Sequence, residues 1–368
     1  MVRTLYLSPA VTGAAEGGRL MLSRLIAHAL ADLLGEQLLI EHLPRALVAG
    51  ALSIAGALGG RIDGVTRDVE RALIERIDAQ RIGQLFLDGS NLGRLARLVN
   101  RARPEVKVIT FFHNVEAHFF LGVLRQRPSA RALAVMVANF VAEAMAVRYS
   151  DQRIALNARD SEGLKRLYRR GASDFLPMAI REPSAGIGLN SEPPVPDGYL
   201  LFVGGGFYAN RAGIAWFAKN VAPRIGLATY VVGRGLDGLR SELERSSNVR
   251  LVGEVDALGP WYHHAKVVIA PIFDGSGMKT KVAEALMHGK RIAGTTEAFT
   301  GYEEVAGEAG WQCETAEAFV TVLKQVEAMP LPKFEPALRL RFDQLYSYEA
   351  ARTRLAAILA VSPSKIEN

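Results

Sequence analysis

Along most of the chain, short runs of β-branched and aromatic residues alternate with longer segments whose apolar positions recur every three to four residues. Such alternation predicts βα units building parallel sheets covered by helices. In the first half the short runs are Thr4–Leu7, Gln37–Leu43, Gln84–Leu87, Lys107–Phe112 and Arg153–Leu156; the helical periods between them include Arg19–Leu34, Asp68–Gln80, Leu92–Arg101 and Arg131–Tyr149. From Arg181 to Gly198 the segment REPSAGIGLNSEPPVPDG has no period and abundant Pro and Gly, the composition of a linker. The alternation then restarts, with strands at Tyr199–Val203, Thr229–Val232, Val249–Val252, Val267–Ala270 and Arg291–Ala293. Helices are expected at Arg211–Asn220, Leu236–Arg245, Ala257–His264 and Lys279–His288, and at Tyr348–Leu359 after the interruptions of Pro330, Pro332 and Pro336. The expected architecture is α/β, with two doubly wound domains facing a central cleft. They span residues 1–180 and 199–335, joined by a linker at 181–198, and a segment 336–368 carries a helix that crosses back to the first domain. Ligands of such sheets bind beyond the carboxyl ends of the strands, so polar residues directly after a strand are the first candidates for a site.

The 368 residues suit two domains, and 49% hydrophobic against 22% charged residues exclude a disordered chain. Lys and Arg number 44 against 38 Asp and Glu, a net charge of +6. The excess is local: residues 1–180 hold 24 basic and 17 acidic side chains, the remainder 20 and 21. A basic first half suits an anionic membrane surface or a phosphorylated substrate. Nucleic acid is not expected, because there is no zinc-finger spacing and no aromatic-plus-basic recognition signature. Cys313 is the sole cysteine, which excludes an internal disulfide and fits a reducing, cytoplasmic setting. No signal peptide is read at Met1–Pro9. The apolar stretches Ala46–Gly60 and Ala132–Val147 fall short of the roughly 20 residues of a spanning helix. They read as packed helices. Alternatively, with Arg45, Arg61, Arg125, Arg127 and Arg131 beside them, they form a surface that rests on the inner face of the plasma membrane.

The most informative stretch runs from Pro271 to Thr296, PIFDGSGMKTKVAEALMHGKRIAGTT. A buried strand ends in a loop with Gly275 and Gly277, and a helix begins near Met278 with Lys279 and Lys281 in its first turn. Glycines at a helix start let backbone N–H groups approach an anion, and the helix dipole adds favourable potential. Lys281 and Glu284, three apart, share a helix face, and this pair suits a phosphate and sugar hydroxyls. An ordinary amphipathic helix with a surface ion pair has the same spacing. Two segments then point to a family. Asp274 to Leu286, DGSGMKTKVAEAL, resembles the donor-binding segment of family 4-like glycosyltransferases of the GT-B fold, whose two domains are Rossmann-like. Phe202 to Phe217, FVGGGFYANRAGIAWF, is similar to that family's first donor-domain strand, glycine turn and Asn-headed helix.

The resemblance implies transfer of a hexosyl group from a nucleoside diphosphate sugar to a hydroxyl of a lipid-linked or glycan acceptor. It implies retention of configuration, no metal and no resident cofactor, the nucleotide sugar being a co-substrate. Glu284 would hold the ribose and Lys281 the diphosphate, with Lys279, Gly275, Gly277, Gly205, Gly206 and Asn210 around the donor. Many relatives carry a second glutamate where this chain has Ser276, so loop amides would take over part of the sugar contact. In the first half, His113–Asn114–Val115–Glu116 follows a strand. The resemblance assigns His113 to the sugar and Glu116 to the acceptor hydroxyl, against a loop histidine and a solvated glutamate; a metal on His113, Glu116 and His118 lacks the helical histidine spacing. Gly17 and Gly18, with Gly13, lie where such folds bring backbone to phosphates, and equally where a turn needs glycine. Three further readings stay open at this level. Gly204, Gly206 and Ala209 fit a loose dinucleotide fingerprint, although no acidic residue ends the next strand. A sugar-nucleotide epimerase would share the architecture, and so would a silent partner subunit.

Overall fold

The computed structural model describes residues 2–9, 18–44, 51–183 and 195–360. The chain divides into two units, Met1–Pro177 with Ala351–Asn368, and Met178–Ala350. In the first unit β1 (Thr4–Pro9), β2 (Leu38–Leu43), β3 (Gln84–Asp88), β4 (Lys107–Phe112), β5 (Gln152–Ala155) and β6 (Asp174–Phe175) form one parallel sheet, ordered β2-β1-β3-β4-β5-β6. Helices cover both faces of its central strands, so β3 and β4 read as continuous apolar runs without alternation. Leu5, Leu7, Leu85, Leu87 and Val108 pack with Leu73 and Ile77 of helix Arg67–Gln80 and with Leu95 and Val99 of helix Gly93–Ala102. Helix Gly93–Ala102 lies so close to helix Ala130–Tyr149 that a Cβ on Gly93 would stand 1.9 Å from the Ala142 carbonyl oxygen. Only glycine fits there.

In the second unit β7 (Tyr199–Val203), β8 (Thr229–Val232), β9 (Val249–Gly253), β10 (Ala265–Ala270), β11 (Ile292–Gly294) and β12 (Gly310–Gln312) are again all parallel, ordered β12-β11-β10-β7-β8-β9. Both sheets therefore reverse their strand order at one point, between β1 and β3 in the first unit and between β7 and β10 in the second. Those are the points where doubly wound folds open a crevice for ligands.

Several elements depart from the sequence pattern. Helices Glu116–Gln126, Ala158–Tyr168 and Ala316–Ala328 and the short strands β6 and β12 escape it, being too brief or too polar to show a period. The helix expected over Leu236–Arg245 shrinks to the single turn Arg240–Leu243 after a 3₁₀ turn, because only Leu236 and Leu243 of this stretch offer buried apolar anchors. The start of the segment expected to cross back forms a helix the sequence did not suggest, Pro336–Leu345, and stays in the second unit: Arg291 clamps Glu335 through bonds of 2.6 and 2.9 Å, and Leu338 and Phe342 are buried. The return to the first unit starts at Ala351, and Gln152 donates to the Ile358 carbonyl at 3.3 Å. Helix Ala130–Tyr149 is longer than its apolar stretch predicts, and its 20 residues are long and apolar enough to cross a membrane. Within the unit it packs on its neighbours and buries Glu143 completely.

Candidate active site

In the second unit the loops after β7 and β10 meet at the reversal point. Gly213 brings helix Tyr208–Asn220 onto the end of β10, since a Cβ there would lie 1.9 Å from the Pro271 carbonyl oxygen. That approach places Asn210 between the two loops. Its amide donates to the Gly205 carbonyl at 3.0 Å, and its Oδ1 accepts from Lys281 Nζ at 2.6 Å. Lys281, only 5% exposed, lies 4.5 Å from the centroid of the Phe202 ring. Burial lowers its ammonium to about 7, against an upward pull from Glu284 and with a further downward push from Lys279. A buried lysine this easily neutralised gains from any anion brought to it.

Lys281 and Glu284 do not form the surface ion pair that their spacing allows. Glu284 accepts from the Tyr262 hydroxyl at 2.7 Å, and the Tyr262 ring stacks on His288 with centroids 4.6 Å apart and planes 3° apart. Burial raises the Glu284 carboxyl, while Tyr262 and Lys281 pull it back down. Lys279 is spoken for locally, with Nζ 2.7 Å from Glu297 and 2.9 Å from the Gly277 carbonyl. Gly275 and Gly277 have φ of 133° and 65°, so the loop carrying Ser276 needs glycine at both. The helix that follows, Thr280–Met287, has no side-chain cap on its first N–H groups. The structure thus gathers Gly205, Asn210, Gly275, Gly277, Lys279, Lys281 and the half-buried Ser276 around one helix start, with Glu284 one turn beyond; Gly206 is exposed in the neighbouring turn. Tyr262 and Glu297 belong to this group as well, and no spacing in the sequence connects them to it.

In the first unit the carboxyl ends of β3 and β4 bring together two buried groups. His113 Nε2 lies 2.8 Å from Asp88 Oδ1 and 3.4 Å from Ser23 Oγ. Burial pushes the Asp88 carboxyl up, but His113, Ser23 and Tyr6 outweigh it and hold it below the usual carboxylate range. An ionised acceptor places the proton of the imidazole on Nε2 and leaves Nδ1 free; Nδ1 is buried and has no hydrogen-bond partner in the structure. Glu116 is also buried, 3.4 Å from Arg19, and burial raises its carboxyl against the pull of Arg19 and His113. Glu116 is therefore not a solvated glutamate; it opens helix Glu116–Gln126, whose first turn also carries Ala117 and His118. Gly18 is the first residue of helix Gly18–Leu34, and Gly17 lies outside the described residues. Among the described residues no cluster of His, Cys, Asp or Glu is arranged to hold a metal ion. Asp88 and Ser23 escaped the sequence reading. Asp88 had a visible signal, since it ends a buried apolar run just before Gly89, as His113 follows another.

Beneath this group Glu143 ties the elements together. Its carboxylate accepts from the Glu116 and Ala117 amides at 2.9 and 3.2 Å, from Ser90 Oγ at 3.1 Å and from the Tyr168 hydroxyl at 2.9 Å. It therefore caps a helix whose own N-cap residue, Val115, has no side chain to do so. Burial raises Glu143 to about 7, against the pull of the bonds from the Glu116 and Ala117 amides and from Tyr168, and the Glu116 charge adds to the rise. The folded state then binds this proton more tightly than the unfolded state, so its contribution falls as pH rises from about 4.5 to about 7 and is constant above. Thermal melts of the wild type and of Glu143→Gln between pH 4.5 and 8 should differ by a slope worth about 3 kcal/mol over that window. Parallel melting curves would remove Glu143 from the titration.

Taken with these carboxyl-end sites, the two parallel six-stranded sheets have the fold of the GT-B glycosyltransferases, as expected from the sequence. Residues 197–327 match the model of the family Glycosyl transferases group 1. No curated protein sequence matches the chain. Among solved structures it is similar to sucrose-phosphate synthase from Thermosynechococcus elongatus, with a TM-score of 0.66 at 15% identity over 97% of this chain and 98% of that one. Anabaena HepE in complex with UDP gives a TM-score of 0.66 at 12% identity over 98% and 100%. WaaG, a glycosyltransferase involved in lipopolysaccharide biosynthesis, gives 0.57 at 12% over 95% and 94%.

Proposed function

We propose that the protein is a glycosyltransferase that moves a sugar from a nucleoside diphosphate donor to a hydroxyl acceptor in bacterial surface polysaccharide or glycolipid assembly. The observation that carries this reading is the buried, desolvated Lys281 at the start of an uncapped helix, with the Tyr262-held Glu284 one turn on. Diphosphate becomes the leaving group of sugar transfer, and its growing charge is met by the Lys281 ammonium and the helix N–H groups without a metal. Glu284, fixed by Tyr262, accepts from ribose hydroxyls. In the first unit His113 Nδ1 accepts a hydrogen bond from the acceptor hydroxyl and takes up its proton as the new bond to the sugar forms and the bond to the diphosphate breaks, while Asp88 keeps the imidazole oriented. That the structures of HepE similar to this chain hold UDP or UDP-glucose supports a uridine nucleotide as donor. Retention of configuration is the outcome we assign.

A thermal-shift panel of UDP, GDP, UDP-glucose, GDP-mannose and NAD without added metal tests this. A nucleotide at a hundred times its Kd stabilises the folded state by about 2.7 kcal/mol. One nucleoside diphosphate should raise the melting temperature and lose about 1.5–3 kcal/mol of binding in Glu284→Ala. Stabilisation by NAD alone overturns the reading in favour of a dehydrogenase, and stabilisation by none favours a silent subunit.

The acceptor we infer is lipid-linked, reached from the cytoplasmic face of the membrane. Arg125, Arg127 and Arg131 are exposed at the turn between helices Glu116–Gln126 and Ala130–Tyr149, beside the exposed Val123, Leu133 and Val135. Arg61, grouped with them from sequence, is instead bound to Glu70 through bonds of 2.9 and 3.0 Å, and Arg45 lies outside the described residues. The wild type should float with anionic vesicles at low salt, and Arg125→Gln/Arg127→Gln/Arg131→Gln should stay at the bottom of the gradient; equal flotation of both would discard this surface.

A further inference from the structure

At the amino ends of β4 and β5, on the edge of the first sheet opposite Asp88 and His113, three arginines converge on one tyrosine. The guanidinium carbons of Arg97, Arg101 and Arg148 lie 5.9, 5.6 and 5.7 Å from the centroid of the Tyr149 ring. Arg101 Nη2 is 3.3 Å from the Tyr149 hydroxyl oxygen. A fourth cation, Arg170, donates to the Arg148 carbonyl at 3.2 Å. Arg101, Arg148 and Arg170 are exposed, and Tyr149 is half-buried.

The charge balance of this group is one-sided. Several other arginines of the unit meet carboxylates: Arg61 and Arg94 share Glu70, Arg103 binds Asp78 and Arg166 binds Glu162. Among the described residues no carboxylate lies within ion-pair distance of Arg97, Arg101, Arg148 or Arg170. The neighbouring Asp151 accepts from the Val108 amide at 2.8 Å. Arg101 and Arg148 each occupy the last turn of a helix, where the dipole favours one cation. Dipoles do not account for Arg97, nor for the meeting of three guanidiniums around one neutral phenol ring. Like charges held this close repel, and the repulsion is relieved when an oxyanion enters between them. Planar guanidiniums bind phosphate oxygens in pairs, and the phenol adds a donor.

We propose that Arg97, Arg101, Arg148 and the Tyr149 hydroxyl form a second anion site that takes a phosphoryl group, separate from the donor site. The phosphoryl group belongs to a small soluble phosphate or to an anionic lipid headgroup, and the chemistry of recognition is the same for both. Surface arginines tolerate glutamine, so Arg101→Gln/Arg148→Gln should keep the melting temperature and the nucleotide response of the wild type. Calorimetric titration of the full chain with inorganic pyrophosphate at low ionic strength should show an isotherm that weakens at least tenfold in the double variant. It should also weaken as salt shortens the Debye length to ~8 Å. If pyrophosphate does not bind but sedimentation with phosphatidylglycerol vesicles is lost in the double variant and kept in Arg125→Gln/Arg127→Gln/Arg131→Gln, the phosphoryl group is a lipid headgroup. Pyrophosphate and vesicle binding both unchanged by Arg101→Gln/Arg148→Gln, or absent from the wild type, overturn the site.

Discussion

Asp88→Asn should lower turnover by about 10²–10⁴-fold, the range carried by a positioned proton-transfer group, while changing nucleotide affinity less than twofold. The substitution keeps the shape of a side chain that is 1% exposed and removes the charge that orders the ring. An amide serves Nε2 equally as donor or acceptor, so the tautomer that the carboxylate enforces through its 2.8 Å bond is no longer selected. Because Asp88 acts through the imidazole, His113→Ala should cost as much, and the double variant should lose no more than His113→Ala alone. The measurement is release of nucleoside diphosphate from the donor that the thermal panel identifies, with its Kd determined beside it. Multiplying losses in the double variant would show that Asp88 acts on the substrate directly, and a loss confined to Kd would move both residues to the donor.

Lys281→Met should weaken nucleoside diphosphate binding by about 10–150-fold, the loss of a charge-assisted bond worth about 1.5–3 kcal/mol. The wild type carries a second signature of the same group. Burial holds the empty-site ammonium near 7, and a bound diphosphate raises it, so binding above that pH must take up a proton. Affinity should be level below about pH 7 and fall by up to tenfold per pH unit above it, until the pKa of the bound state is passed. Lys281→Met should bind weakly and without this slope. Calorimetry in buffers of different ionisation enthalpy reads the proton uptake directly, and a wild-type affinity independent of pH between 7 and 9 would show that Lys281 does not meet the phosphate.

Much of this site was legible in the chain because its parts are close in sequence. The glycine loop, Lys281 and Glu284 lie within eleven residues, and helix geometry alone places the last two on one face. The polar residues after Lys107–Phe112 were found by the rule that carboxyl ends of parallel strands carry function, and the same rule, applied once more, reaches Asp88. Chemical state was less visible. The spacing of Lys281 and Glu284 allows an exposed ion pair, and the fold instead buries the lysine on Asn210 and Phe202, 71 and 79 positions earlier in the chain, and gives the glutamate to Tyr262. The arginine excess of the first half reads as a uniform charge, whereas the structure divides it into arginines on carboxylates, arginines at a helix turn and three around Tyr149.

By itself, the sequence determined the alternation of strand and helix, the parallel sheets, the linker composition and the phosphate-suited loop. Those follow from local periodicity and from backbone preferences that span a few residues. Tertiary structure alone decided the strand order that opens each sheet, the pairing of Asp88 with His113 across 25 positions, the cap that Glu143 places on a distant helix and the desolvation of Lys281. Each of these depends on which surfaces exclude water together, and that is a property of packing between segments far apart in the chain.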